Sequence, residues 1–363
     1  MTITFKGLAA GLAAALLSVA GCAATGGAAT TPQAPETDNQ QAVTRTVVDL
    51  TGREVTIPEQ VTKVANLLHN SREPTIMLKA TDQVVVTSSA PDYWTSVVDP
   101  AYGQIERVEN GREPNVVQLV ENGVEVAFFW DSVPEATAKM EEAGIAVIYP
   151  TPTGIDTPEE FLAAKQHEVM LYGEVYGGEA VAKAEQWRDY AEAAFEEIYS
   201  RTKDIPVEDR PTVYYVRGPE ALRIHGGASI TRYLVEIAGG DLVSKVDDLA
   251  LYETTMEQAI AWDPEYIIMG RVGNTELITD DPAWESVQAV KDANVYVNLK
   301  AIGPTDYSTT GLLMMQQLAT ILHPDLFADI DMVAKTKDYF ATFYDYEITD
   351  AQAEEVLTFA HTD

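Results

Sequence analysis

Arginines, histidines and large aromatics recur in this chain just beyond short apolar runs, where a fold of alternating strands and helices places its loops. In the first half these are His69 to Arg72, Tyr93 and Trp94, Arg112 and Trp130. In the second half they are Arg217, Arg223, His225, Tyr252, Arg271 and Tyr307. Guanidinium groups pair bidentately with carboxylate or hydroxamate-type oxygens, while Trp and Tyr cover apolar surface and keep a polar edge. Trp94, Arg112, Trp130, Arg217, Arg223, His225, Tyr252 and Tyr307 together suit a large, flat or anionic chelate. Plainer readings stand beside this one. Trp94 and Trp130 fit a core equally well, and Arg217 or Arg223 fits a surface ion pair. His69 and His225 each follow the opening strand of a half, so they could meet as metal ligands or serve as hydrogen-bonded loop histidines. Phenolates of Tyr252 or Tyr307 could hold ferric iron or haem, although 17 tyrosines dilute that signal.

Enzymatic patterns are missing. The chain has no Gly-x-Ser-x-Gly, no His-Glu-x-x-His, no P-loop and no cysteine pair. Gly226-Gly227-Ala228-Ser229 reads as a helix N-terminus able to cap an anionic group. Plentiful carboxylates would permit a glycosidase pair, but no spacing selects two of them. Catalytic residues and a resident cofactor are therefore not expected, and a membrane-tethered hydrolase on the same frame is the rival of another class. With 24 Lys and Arg against 57 Asp and Glu, the net charge of −33 repels phosphate backbones, so no nucleic-acid partner is expected. An anionic ligand would need arginines gathered locally against that field.

Two internal matches show what positions these residues. Val117–Phe129 lies without gaps on Glu257–Met269, each a short helix, a Gly or Asp-Pro turn and a buried strand. Glu141–Tyr149 lies on Lys291–Leu299 in the same order and at nearly the same offset. The chain therefore reads as α/β, with two similar doubly wound lobes. Thr46–Leu50 and Glu54–Ile57 flank a hairpin turn at Thr51-Gly52-Arg53, Val61–Leu68 and Gln83–Thr87 read as strands, and Glu73–Ala80 reads as a helix. Residues 157–203 carry no strand signal. After Gly177-Gly178, residues Val181, Ala184, Ala191, Ala194, Phe195 and Ile198 recur at helical spacing. They predict a long rigid α-helix of about 36 Å that joins the lobes and limits them to small tilts. The expected division is a signal segment at 1–21, a tether at 22–44, an N-terminal lobe at 45–156, linking helices at 157–203 and a C-terminal lobe at 204–363.

Cys22 is the single cysteine, so no intrachain disulfide can form. It closes the apolar run Leu8–Gly21 behind Lys6, the pattern of an export signal and too short to span a bilayer comfortably. The small, polar, proline-containing residues after it read as a disordered tether.

Val19-Ala20-Gly21-Cys22 resembles the lipobox of bacterial lipoproteins, which implies cleavage before Cys22 and acylation of its thiol. Lipobox, tether, paired α/β lobes and helical spine together resemble the substrate-binding lipoproteins of ABC importers. The likeness is to the helix-hinged, class III periplasmic-binding branch that takes up iron-siderophores, haem and vitamin B12. Val48–Val61 looks like that family's opening, Glu236-Ile-Ala-Gly239-Gly240 like its helix before a Gly-Gly turn, and Thr254–Ile268 like its helix-turn-strand passage. The resemblance implies a monomeric extracytoplasmic receptor, anchored to the membrane by lipid alone, that hands its cargo to a permease and its ATPase. The implied cargo is a metal chelate, a ferric siderophore first, then haem or a corrinoid, with a divalent metal ion or its histidine chelate as the alternative. It also implies one glutamate per lobe docking on permease arginines. Glu236 falls on the C-lobe position. The N-lobe glutamate usually follows Asn-Leu, but Asn115-Val116 here precedes Val117, leaving Glu113, Glu121 or Glu73 to substitute.

Overall fold

Asp49 ends the first strand and organises the first turn. Its Oδ1 accepts from Thr51 N at 3.0 Å, Thr51 Oγ1 at 2.7 Å and Arg53 N at 3.0 Å. Around that turn β1 (Thr44–Val48) pairs antiparallel with β2 (Glu54–Pro58), so the strand stops short of the Leu50 suggested by the apolar pattern. The structure is a computed structural model that describes residues 43–246 and 249–361. The signal segment, Cys22 and nearly all of the expected tether lie outside the described residues. Residues 42–363 form one compact unit.

The first sheet is built from β3 (Val64–Asn66), α1 (Arg72–Met77), β4 (Val84–Thr87), α2 (Tyr93–Val98), β5 (Glu106–Arg107), α3 (Val116–Glu121), β6 (Val126–Phe128), α4 (Pro134–Glu142) and β7 (Ala146–Ile148). Its strands are parallel in the order β5-β4-β3-β6-β7. Val64, Ala65, Val126, Ala127 and Phe128 are all buried, as strands covered on both faces require.

After α5 (Pro158–Tyr176) and α6 (Glu179–Thr202), the second sheet follows. It comprises β8 (Thr212–Val216), β9 (Arg223–His225), α7 (Ile230–Ile237), β10 (Asp241–Leu242), β11 (Leu251–Glu253), α8 (Met256–Trp262), β12 (Tyr266–Met269), α9 (Glu276–Thr279), α10 (Gln288–Lys291) and β13 (Val295–Val297). The order is β11-β9-β8-β12-β13, with β10 also on β8. Here β9 and β11 run antiparallel. Only Arg217–Leu222 separate β8 from β9, too few residues for a crossover helix, so the chain turns straight back.

The internal matches occupy equivalent places in the two sheets. β6 and β12 each flank a central strand, and β7 and β13 lie next outward. Gly123 and Asp263, aligned in the match, both take positive φ, 70° and 43°, where the preceding helix stops and the chain swings into its strand.

The spine differs from the sequence expectation. It is α5, not α6 alone, that touches both lobes. Near its end Tyr172 and Tyr176 hydroxyls bond Ser71 Oγ and Thr75 Oγ1, each at 2.7 Å. Near its start Phe161 stacks on Tyr233 at 5.9 Å. The predicted stripe on α6 packs against α5 and the C-terminal helices α11 (Gly311–Leu322) and α12 (Met332–Tyr344), and α13 (Asp350–Leu357) packs on α12. Trp187 Nε1 donates to Tyr339 Oη at 3.2 Å, and Thr202 Oγ1 to Ile237 O at 2.6 Å. The C-terminal helices also return to the first lobe. Trp94 meets Phe340 edge-on at 5.4 Å, and Lys79 Nζ donates to Tyr344 O at 2.6 Å. Two buried carboxylates close the joint. Glu73 accepts from Thr309 and Tyr344, and Asp92 accepts from Gly303 N at 2.7 Å.

Candidate functional site

Between the sheets, the loops beyond the strand C-termini face one another, the usual place for ligands in doubly wound folds. The first lobe contributes His69 after β3, Arg112 after β5 and Trp130 after β6. The second contributes Arg217 after β8, His225 on β9, Arg271 after β12, and Asp306 with Tyr307 after β13.

Local packing sets the position of Arg112. A Cβ at Gly111 would stand 2.7 Å from both Leu67 O and Ser88 Cβ, so only glycine lets this loop press onto the strand ends. The Arg112 guanidinium lies 4.9 Å over the Trp130 ring, and its Nη1 reaches Ser132 Oγ at 3.3 Å. Trp130 in turn stacks with His69 at 6.2 Å and 24°. On the opposite wall Arg271 Nε is 3.1 and 3.2 Å from the two Asp306 oxygens, and its Nη2 is 2.9 Å from Oδ1. The same guanidinium lies 4.8 Å over Tyr307. Among the described residues the Arg217 side chain bonds only the neighbouring Gly218 O, at 3.2 Å.

These groups act on one another electrostatically. Crowding by protein, then Arg271, lowers the His69 pKa from 6.5 to about 4, with Arg217 and Arg112 adding to the effect. Solvent reaches this ring, which softens the shift without changing its sign. Burial, opposed in part by Asp306, likewise lowers His225 to about 4, with Arg271 and Arg217 adding to the fall. Both imidazoles are neutral at physiological pH. His225 has both nitrogens engaged, Nδ1 with Thr231 Oγ1 at 2.8 Å and Nε2 with Tyr307 Oη at 3.4 Å. Burial, then Asp306, raises the Tyr307 pKa, so it stays a phenol. Burial and the neighbouring Arg271 and Arg223 lower Arg217, the mark of like charges held close together. Three guanidiniums and one carboxylate leave two positive charges in the cleft, within a chain of net charge −33.

The candidates named from sequence divide accordingly. Arg112, Trp130, Arg217, His225 and Tyr307 gather here with His69. Trp94 does not, being 1% exposed between α2 and the C-terminal helices. Of its two readings the core one holds, and nothing local announces it, because Phe340 and His361 come back from the C-terminal end to cover the ring. Tyr252 pairs with Ile224 in the β11–β9 ladder, packs with the cluster around Tyr214, and donates to Ser244 O at 3.3 Å. Arg223 is exposed at the start of β9. The pairing of His69 with His225 as metal ligands is not supported, since His225 spends both nitrogens inside the protein. Among the described residues no group of three or more His, Cys, Asp or Glu stands together as a metal site. Glu236 accepts from Arg232 Nε at 2.8 Å and keeps 14% side-chain exposure, whereas Glu113 is exposed.

Sequence reasoning left Asp306 unnoticed and named Arg271 among the loop residues without placing it in the ligand set. Arg271 had a signal: the match that sets Phe129 on Met269 places it just past a strand end. Asp306 had none, because its role comes from burial against Arg271 and Tyr215.

No family model matches the chain. The curated molybdate-binding protein MolA of Haemophilus influenzae is 24% identical over 328 residues, covering 83% of this chain and 91% of that protein. Its molybdate-bound structure superposes with a TM-score of 0.74 at 22% identity, covering 84% and 99% of the two chains. A periplasmic solute-binding protein of Veillonella parvula gives 0.74 at 21% identity, covering 88% and 98%. CeuE of Helicobacter pylori, in its nickel–histidine complex, gives 0.68 at 19%, covering 87% and 99%. The relatives are binding proteins of transporters, and the shared fold is the helix-hinged one of class III periplasmic binding proteins.

Proposed function

We propose that this chain, with the fold and relatives of the ABC-importer solute-binding proteins, captures a compact divalent oxyanion of the molybdate type between its lobes. The observation that carries the reading is the convergence of Arg112 from one lobe with Arg217 and Arg271 from the other around a neutral His69. Two uncompensated positive charges match a dianion. Neutral imidazole and phenol groups add hydrogen-bond donors without adding charge. The sequence expectation of a ferric siderophore becomes the second reading. It is favoured by the flat wall that Trp130 and His69 make, which suits a planar organic chelate. A bare divalent metal ranks below both, since no ligand cluster stands among the described residues.

The proposal includes Cys22 as a lipid anchor, delivery to a permease and its ATPase, and a monomeric receptor. Docking through Glu236 requires its pair with Arg232 to open, whereas Glu113 is accessible as it stands. The test is tryptophan fluorescence of the purified protein titrated with molybdate, sulfate, ferric siderophores, haemin and nickel–histidine, repeated with Arg112→Ala and Arg217→Ala. Saturable molybdate binding that both variants weaken supports the reading. Unchanged affinity in both variants removes the arginine clamp, and turnover of ester or glycoside substrates would favour the hydrolase.

A further inference from the structure

One face of α5 carries polar groups where a helix packed between two lobes ordinarily carries aliphatic ones. Lys165, Glu168 and Tyr172 follow one another at helical spacing along it, and all three are buried. Lys165 Nζ lies 2.6 Å from Glu168 Oε2 and also donates to Tyr307 O at 3.1 Å. Two turns further on, the Tyr172 hydroxyl meets Ser71 Oγ at 2.7 Å, while its ring packs on Phe128 at 4.3 Å. Both bonds end beside a cleft residue. Ser71 closes the short 3₁₀ turn that His69 opens, and the His69 ring stacks on Trp130. Tyr307 turns its ring to Arg271 and its hydroxyl to His225, while Lys165 holds the same residue by its carbonyl. The two anchor points on α5 are separated by a rise of about 10.5 Å, which the helix backbone fixes. Replacing a buried ion pair such as Lys165–Glu168 by apolar residues of like volume is often neutral for stability, so its place points to another role.

We propose that Lys165 and Tyr172 are positioning residues, which act through Tyr307 and the His69 turn to hold the two walls of the cleft at a set separation and so select oxyanions by size. The inference rests on the cleft being the ligand site. Walls free to approach one another would close around sulfate as readily as around the larger molybdate. Walls held at one width leave sulfate short of the donors on one side, and each charge-assisted hydrogen bond forgone lowers its affinity. Neither residue needs to touch the ligand to do this.

The experiment is calorimetric titration of the full chain with molybdate and with sulfate, joined to amide hydrogen exchange of the same proteins without ligand. The variants are Tyr172→Phe, the double variant Lys165→Met with Glu168→Met, and Thr202→Val. The last removes an equally buried bond, from α6 to Ile237 O, away from the cleft. The parent is expected to prefer molybdate by about tenfold or more. Tyr172→Phe and the double variant should each lower that ratio about fivefold, chiefly by gaining sulfate affinity, while Thr202→Val holds it within about twofold. Exchange should quicken at residues 305–309 in the double variant and at 69–71 in Tyr172→Phe. A parent that binds both anions equally, a ratio unaltered in either cleft variant, or the same fall in Thr202→Val overturns the proposal. If the parent binds neither anion, quickened exchange at both segments removes the oxyanion reading and supports the positioning role, and unchanged exchange overturns that role as well.

Discussion

Glu73, on the first helix of the N-terminal lobe, accepts a hydrogen bond of 2.7 Å from the hydroxyl of Tyr344, at the end of α12. Its other oxygen takes Thr309 N at 3.1 Å and Thr309 Oγ1 at 2.5 Å. One buried carboxylate thus joins three parts of the chain far apart in sequence. The lobes are fastened at this joint as well as along α5, which restricts their relative motion more than a single linking helix would.

Burial raises the Glu73 pKa above 4.5. The folded chain therefore holds this proton more tightly than the unfolded chain. The resulting stabilisation is complete below about 4.5 and is lost as pH rises through the folded value. Glu73→Gln keeps the shape and an acceptor for Thr309 N. It is expected to flatten this part of the profile and to equal or exceed the parent in stability at neutral pH. Glu73→Ala leaves Thr309 N–H and the Tyr344 hydroxyl unmatched and should cost about 2–4 kcal/mol. Denaturant unfolding between pH 5 and 8 measures both, and a Gln variant as unstable as the Ala variant would contradict the argument.

Arg217 and Arg271 should separate binding from stability. Arg217→Ala removes a cleft charge whose side chain, among the described residues, bonds only its neighbour's carbonyl. It should weaken anion binding about 10- to 100-fold and leave the unfolding midpoint nearly unchanged. Arg271→Ala strands the buried Asp306 and should cost about 3–5 kcal/mol of stability in addition to affinity. Parallel titration and denaturant unfolding of the two variants decide this, and equal destabilisation would show that Asp306 does not depend on Arg271.

His225 predicts an acid limb of the stability curve. Its pKa falls from 6.5 to about 4 on folding, so the unfolded chain takes up this proton first as pH drops. Stability from the neutral imidazole is fully present above 6.5 and declines between there and about 4, by roughly 3 kcal/mol in all. His225→Gln should remove most of that slope. With His69 shifted the same way, molybdate affinity should stay flat from pH 6 to 8. A binding step centred near 6.5 would mean that one of the two imidazoles titrates freely.

Much of the frame was legible in the sequence because it rests on local periodicity. The repeated helix-turn-strand passages fell on β6 and β12, and the apolar stripe of residues 181–198 marked a true helix. α5 escaped notice as the crossing element because its buried positions are filled by Lys165, Glu168 and Tyr172 as well as by aliphatic residues, so no clean stripe shows. The choice between ligand and core for Trp94 was open for a different reason. Its burial comes from Phe340, hundreds of residues away, and no spacing rule reports that contact. In the site, arginines at loop positions were visible. The acid that orients Arg271 was not, since one Asp among so many carries no local signal.

The most direct test is an anomalous-difference map from crystals grown with tungstate, a heavy stand-in for molybdate. A single strong peak is predicted between Arg112, Arg217 and Arg271, beside His69, and absent from crystals of Arg217→Ala. No peak at saturating tungstate, or one lying away from these three guanidiniums, would contradict an oxyanion held in the interlobe cleft.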